Sequence, residues 1–454
     1  MRALVRIEVK GLLGRFDHAI DMDPHFPFVV IHGPNGVGKT KFLELINATF
    51  RLKLAEIDEI PFASIDHWFD DESRLTVSKG DDVLHVSPDD AIDRLFSFTP
   101  ISFTLTSHDG QQHHWRLDPS ELDNISPARS MKMRRAQILK WRSMRVHSES
   151  WQDFEPLPRS LESLAAVPVD IYREFAPDWL TDFVQDTTIH LIETQRLVSF
   201  VRSDTRGREE EGRRNTVVEY AHDLSRQISV VLAQNSRISQ QLDGSFPRRV
   251  LLSKEPGTDV TDARIRERYQ EQNQLREELE QIAVLDDQRD LPLPGEEMAP
   301  WQRRVLWIYL EDTEQKLASF KPLLDKITVL RDIVNSRFLN KKLVVDRDAG
   351  FRFQNDLGRT LTPEQLSSGE QHELVLVYDL LFKVEEQSIV LIDEPEISLH
   401  VSWQQKFLED IQRIASLANH RFIVATHSPQ IIHKWWSRAI PLGAAADIEE
   451  YLGD

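Results

Sequence analysis

No cysteine occurs anywhere in the 454 residues. Disulfides, thiolate zinc sites, iron–sulfur clusters and a cysteine nucleophile are excluded together, and the absence fits a reducing compartment. Long apolar runs are missing too: no stretch approaches the ~18 uninterrupted apolar residues that a spanning helix needs. The opening Met1-Arg-Ala-Leu-Val-Arg-Ile-Glu-Val-Lys10 alternates apolar and charged residues and lacks the apolar core of a signal peptide. A cytoplasmic protein without membrane contact is expected. Basic charge is in deficit, with 55 Lys plus Arg against 74 Asp plus Glu and a net charge of −19. Such a chain is not coated for wholesale phosphate binding, so contact with nucleic acid would need a local basic patch. What is present is the composition of an ordinary folded protein, 40% apolar and 28% charged, in a length that suits about three domain-sized units.

Ala3, Val5, Ile7 and Val9 share a face and predict a strand. The run Phe28-Val29-Val30-Ile31 before Gly33-Pro34 predicts a buried parallel strand entering a turn. From Lys39 onward, Phe42, Leu43, Ile46 and Phe50 form a helical stripe. Residues 74–117 carry two hairpin signals, Gly80-Asp81 between strand runs at 75–77 and 83–86, and Asp109-Gly110 between runs at 101–106 and 115–117. Together they predict an antiparallel β insert over about residues 51–185. Residues 129–145 hold seven Lys or Arg, no acid, and Trp141. A solvated helix face is the plainer reading; a patch for nucleic acid or an acidic partner is the functional one. Residues 203–214 lack periodicity and read as a mobile loop. Residues 217 to about 335 are mostly helical and predict an antiparallel hairpin or short coiled-coil arm. Its seam is imperfect, because Arg268 and Gln272 fall where apolar residues belong. Strand runs return at 343–345, 351–353, 389–392 and 422–424, with helical patterns at 369–384 and 399–417 between the later ones. That alternation predicts an α/β fold with a parallel sheet. The expected head is discontinuous, residues 1–202 with 341–454, enclosing a helical arm at 203–340.

Gly33-Pro34-Asn35-Gly36-Val37-Gly38-Lys39-Thr40 fits the phosphate-loop pattern between a strand and a helix. Glycines let backbone N–H groups turn inward around phosphates, and the helix N-terminus adds its positive end. In that pattern Lys39 reaches the β and γ phosphates of ATP and Thr40 ligates Mg²⁺. Ser388-Ile-Val-Leu-Ile-Asp-Glu394 is an apolar strand ending in two carboxylates, which a parallel strand delivers to the ligand-binding edge of the sheet. Asp393 is a candidate to hold Mg²⁺ through water, and Glu394 to polarise an attacking water. Acids here could otherwise serve as helix caps, a role that suits Pro395 and Glu396. Leu366-Ser-Ser-Gly-Glu370 opens a helix, with Ser367 or Ser368 as cap and Glu370 or Gln371 completing a capping box. Thr426-His427-Ser-Pro follows a further strand; a lone histidine there could be structural, but its order after the two acids promotes it.

In that order the phosphate loop, Leu-Ser-Ser-Gly-Glu, Asp-Glu-Pro-Glu and Thr-His-Ser-Pro resemble an ABC-type ATPase head. Asn35-Gly36 and the long helical insertion resemble the RecF/SMC/Rad50/OLD-like branch of AAA-family ATPases. More narrowly, residues 366–373 and 392–400 are similar to stand-alone ATPases of anti-phage systems, the PARIS and Septu ATPase subunits. The resemblance implies that Ser367, Ser368, Gly369 and Glu370 of one head complete the ATP site of another, in a homodimer or larger homo-oligomer. It implies that His427 senses the γ-phosphate. It also implies that Gln195, in Ile192-Glu-Thr-Gln195, faces Mg²⁺ and the water. No Cys-x-x-Cys exists for a zinc hook, and the 27 residues after His427 are too few for the Toprim nuclease domain of OLD proteins. A nuclease-type effector is therefore expected on a separate chain. Two other readings use the same residues: a repair or chromosome ATPase that clamps DNA, and an ATP-binding scaffold of slow turnover. Arg15 and Phe16 are candidates to contact the adenine.

Overall fold

The computed structural model describes residues 2–80, 100–117, 176–192, 198–199, 214–253, 260–282, 284 and 292–443. The strand expected at 83–86, the basic run 129–145, Gln195 and most of the loop expected at 203–214 lie outside them. In chain order the elements begin β1 (Leu4–Leu12), β2 (Phe16–Asp21), β3 (Phe28–His32), α1 (Lys39–Phe50), α2 (Leu54–Glu59), β4 (Ser64–Phe69) and β5 (Arg74–Lys79). Next come β6 (Ile101–Thr106), β7 (Gln112–Leu117), α3 (Asp178–Gln185), β8 (Ile189–Ile192), β9 (Val198–Ser199) and β10 (Arg214–Asn215). Four helices follow, α4 (Thr216–Leu252), α5 (Asp262–Gln281), α6 (Pro300–Ala318) and α7 (Lys321–Arg337), then β11 (Lys341–Asp346), β12 (Gly350–Asn355) and β13 (Thr360–Leu361). The last are α8 (Ser368–Tyr378), β14 (Ile389–Asp393), α9 (Val401–Gln404), α10 (Phe407–Ala418), β15 (Arg421–Thr426), α11 (Pro429–Ile432) and β16 (Ala439–Pro441). They fall into two compact units. One comprises Met1–Thr194, Val384–Ile397 and Gln404–Asp454; the other comprises Gln195–Lys383 and Ser398–Trp403.

The first unit holds a five-stranded parallel sheet in the order β16-β3-β15-β14-β8. All five residues of β3 are buried, as are the first four of β14. Strands covered on both faces read as continuous apolar runs. Register brings Ala425 opposite both Ile31 and Asp393, so the chain leaves β3, β14 and β15 at one carboxyl edge. Helix α1 buries Phe42, Leu43, Ile46 and Phe50 as the stripe predicts, and Leu45, Ala48 and Thr49 as well. It is a core helix, enclosed beyond one face.

A six-stranded antiparallel sheet, β2-β1-β4-β5-β6-β7, completes this unit. The β6–β7 hairpin turns at Asp109-Gly110 as expected. The strand at 75–77 differs: β5 pairs with β4 on one side and β6 on the other, so its hairpin turn lies at residues 70–73. In β1 the register shifts between Leu4 and Arg6. The fully buried residues become Leu4, Ile7, Val9 and Leu12, while Ala3 and Val5 are only half-buried. His67 on β4 is wholly buried, edge-on to Phe50 with centroids 4.9 Å apart and Nδ1 3.4 Å from the Leu75 carbonyl oxygen. Burial holds its pKa down at about 4, from an unfolded value of 6.5. Between those values only the unfolded chain takes up the proton, so stability is lost as pH falls. Going from pH 7.5 to 4.5, this residue should cost about 2–3 kcal/mol. Urea unfolding of His67→Phe should show an acid limb shallower by that amount than the parent's; equal limbs would remove the assignment.

In the second unit β11, β12 and β13 form a separate antiparallel sheet. Residues 341–383 therefore fall in the same compact unit as the arm helices. The cause is close packing: Gly350 has φ +76°, and a Cβ there would lie 1.7 Å from the Ala221 carbonyl oxygen on α4. Only glycine lets β12 begin against that helix. The two polar interruptions of the arm seam each find a partner across it. Gln272 donates to the Leu310 carbonyl at 2.7 Å, while the Arg268 guanidinium covers the Trp307 ring at 4.6 Å and pairs with Glu314. The last part of the helical stretch is two helices, α6 and α7, with Pro322 in the first turn of α7. Likewise the helical pattern at 399–417 is split into α9 and α10. No helix among the described residues is long and apolar enough to cross a membrane.

Candidate functional site

The loop 33–38 connects β3 to α1. Gly36 and Gly38 have φ of +89° and +92°, conformations that glycine adopts without strain. A Cβ on Gly38 would come within 2.9 Å of the Leu12 side chain, and one on Gly33 within 2.4 Å of the Leu442 carbonyl oxygen. His18 Nε2 lies 2.8 Å from the Val37 carbonyl oxygen and fixes the loop from below. The first turn of α1 carries no acid and no side-chain cap, so its positive end is open to an anion. Lys39 is buried, and its ammonium donates to the carbonyls of Gly33 at 2.8 Å and Pro34 at 3.2 Å. Burial lowers its pKa, while Glu394, Asp393 and Glu396 pull the other way.

Those three acids come from the far end of the sequence. Asp393 ends β14 and accepts from the Thr40 hydroxyl; burial pushes its carboxyl up to about 6, against the lowering effects of Thr40 and Lys39. Glu394 follows with φ +44° and donates its N–H to the Ala425 carbonyl at 2.8 Å. A non-glycine residue in this region costs on the order of 1 kcal/mol and marks sites of function more often than packing. His427, just after β15, has Nδ1 3.5 Å from Glu394 Oε1 and 3.3 Å from Glu396 Oε1. Near the loop, at the β1–β2 turn, exposed Arg15 lies over buried Phe16 at 4.5 Å.

The donor set suits a magnesium nucleotide. One ammonium, one hydroxyl and a helix N-terminus face the loop, with Asp393 beside Thr40. Among the described residues no group of three or more His, Asp or Glu is arranged to hold a metal alone.

The signature residues belong to the second unit. Ser367 caps α8: its hydroxyl accepts from the Glu370 N–H at 3.4 Å, and Glu370 Oε2 accepts from the Ser367 N–H at 2.8 Å and hydroxyl at 2.9 Å. This is the capping box expected from the sequence. Lys341 bonds both Glu370 oxygens, at 2.8 and 2.7 Å. Burial would raise the Glu370 pKa, but Lys341 and the Ser367 donors outweigh it and the net direction is down. Ser368 opens the helix, and no atom stands within 4 Å of a Cβ built on Gly369. Farther along α8, Glu373 pairs with Arg337 at 3.1 Å, both almost wholly enclosed. The sequence reading gave Glu396 only as a cap. The structure instead turns it toward His427, and its spacing of three residues from Asp393 was the one available signal.

A phosphate loop and a strand-end acid pair at the carboxyl edge of a parallel sheet, with an antiparallel sheet and a helical arm, define an ABC-type head of the P-loop NTPase class. The family model described as "AAA domain, putative AbiEii toxin, Type IV TA system" matches residues 28–433, and the chain belongs to that family. It is 36% identical over 85 residues to the "Retron Ec83 probable ATPase" of Escherichia coli, a stretch covering 16% of this chain and 15% of that protein. It is 28% identical over 136 residues to "Protein ea59" of Escherichia phage lambda, covering 29% of this chain and 25% of that one. The chain thus aligns with a quarter or less of these relatives' length. Among solved structures, the Smc head domain with an extended coiled coil bound to the ScpA C-terminal domain, from Pyrococcus furiosus, aligns at 12% identity and a TM-score of 0.31. That alignment covers 97% of this chain and 93% of the other. The SMC head domain of Thermotoga maritima gives 10% and 0.32, covering 97% and 92%. Scores this low add no argument of their own.

Proposed function

We propose that this chain binds ATP with Mg²⁺ in the loop 33–40, hydrolyses it, and serves as a nucleotide-driven switch in anti-phage defence, acting with a separate effector. The observation that carries the reading is the meeting of Lys39 with Asp393 and Glu394 around one loop. Backbone N–H groups of the loop and Lys39 would bind the phosphates. Thr40 and Asp393, with Gln195, would hold the cation, which when bound spreads charge developing on the transferred phosphoryl group. Glu394 would orient and deprotonate the attacking water, and His427 would face the γ-phosphate.

The exposed N-terminus of α8 at Ser367 and Ser368, with open space at Gly369, supports a role in trans. In that arrangement a second copy supplies Ser367–Glu370 to the phosphates, and a homodimer or larger homo-oligomer closes around the nucleotide. Loss of the γ-phosphate would then release the two faces. Similarity to a retron ATPase supports the defence setting. The test is a thermal-shift titration with ATP, with and without Mg²⁺. A ligand at a hundred times its Kd stabilises by about 2.7 kcal/mol, so a rise of several degrees that needs Mg²⁺ is expected. Indifference to millimolar Mg·ATP would overturn the reading. DNA-stimulated turnover that weakens steeply with salt would shift it toward a DNA clamp.

A further inference from the structure

Glu396 has no part in the nucleotide chemistry just described, yet it is 8% exposed and one of its oxygens accepts three hydrogen bonds. It lies in the short turn Pro395–Ser398 after β14. Its Oε1 accepts from the Thr426 hydroxyl at 2.7 Å, the His427 N–H at 2.9 Å and the Ser428 N–H at 3.1 Å. The same oxygen is 3.3 Å from His427 Nδ1. A second brace comes from buried Gln404, which donates to the Glu396 carbonyl at 3.3 Å and accepts from the Ser428 hydroxyl at 2.8 Å. A carboxylate needed only to close the turn could do so through the two backbone N–H groups. Here the same oxygen is also within reach of the imidazole.

We propose that Glu396 is the positioning residue for His427, holding the ring with its Nδ1 proton toward the carboxylate and leaving Nε2 as the atom offered to substrate. Which imidazole nitrogen carries the proton is set by the hydrogen bond that the other partner makes. Glu394 Oε1 is farther from Nδ1, at 3.5 Å, and lacks the three further bonds that fix Glu396. The ring therefore keeps its orientation when Glu394 engages water. The proposal rests on the reading of His427 as a group that faces nucleotide.

Glu396→Gln tests it, because the amide oxygen still accepts from Thr426, His427 and Ser428 while the charge beside Nδ1 is gone. The expected result is a kcat lower by about 10- to 100-fold, the range seen when the carboxylate behind a metal-bound histidine is removed, with melting temperature and KM for ATP unchanged. His427→Ala added to Glu396→Gln should lower turnover no further than twofold. If the two effects multiply, or if KM and melting temperature move with kcat, Glu396 is a structural staple and the proposal fails. A readout independent of turnover is ¹⁵N NMR of the imidazoles in nucleotide-free parent protein, with His427 assigned by His427→Ala. A protonated Nδ1 on His427 is expected, and an unprotonated one overturns the proposal even where Glu396→Gln fails to fold. A parent that neither binds nor hydrolyses ATP would refute the nucleotide reading, while the NMR result would still decide the ring's partner.

Discussion

Replacing Lys39 with alanine should abolish the Mg·ATP-dependent thermal shift and ATP turnover. Lys39 is 5% exposed, and its ammonium is the one cation that the first turn of α1 aims into the loop. Two effects oppose each other in the nucleotide-free protein. The substitution removes a buried cation, whose desolvation is a cost, but leaves the Gly33 and Pro34 carbonyls and the neighbouring carboxylates without it. Their near cancellation keeps the change in fold stability within about 1–3 kcal/mol. Binding has no such cancellation. Truncating one member of a desolvated charge pair costs roughly 2–5 kcal/mol, so affinity should fall by at least ~30-fold. A Lys39→Ala protein that titrates with the parent's midpoint would mean that nucleotide binds elsewhere.

Glu394→Gln should do the opposite: keep binding and lose chemistry. Losing the group that takes the water's proton lowers turnover by about 10²–10⁴-fold. Glutamine is no more strained than glutamate at φ +44°, so the backbone beside Asp393 is preserved and nucleotide remains held. With hydrolysis blocked, the closed assembly accumulates, and light scattering with Mg·ATP should show at least a doubling of mass that the parent shows only transiently. Turnover at the parent rate would remove Glu394 as the base.

Much of this site could be read from the sequence because its parts are local. A glycine-rich turn between an apolar strand and an amphipathic helix, acids at a strand end, and Ser367 three residues before Glu370 each declare themselves within a few residues. What could not be read depends on partners distant in the chain. The signal Gly80-Asp81 is a real turn former, yet the hairpin uses residues 70–73 because β5 is claimed on both sides, by β4 and β6. Gln272 looked like a flaw until the Leu310 carbonyl supplied its acceptor. The strands at 343 and 351 had the right pattern for the main sheet, but Gly350 commits them to α4. Glu396 reads as a cap by composition and acquires another role only where β15 sets Thr426 and His427 beside it.

The order of the parallel sheet constrains how the protein is made. The strand preceding the phosphate loop is hydrogen-bonded on one side to β15 and on the other to β16, which leave the ribosome about 390 and 410 residues later. At ~5–20 residues per second that strand waits roughly 20–80 s with neither edge covered. Pairings this distant in sequence form slowly and expose apolar edges meanwhile. A prematurely terminated polypeptide would lack both strands that flank β3.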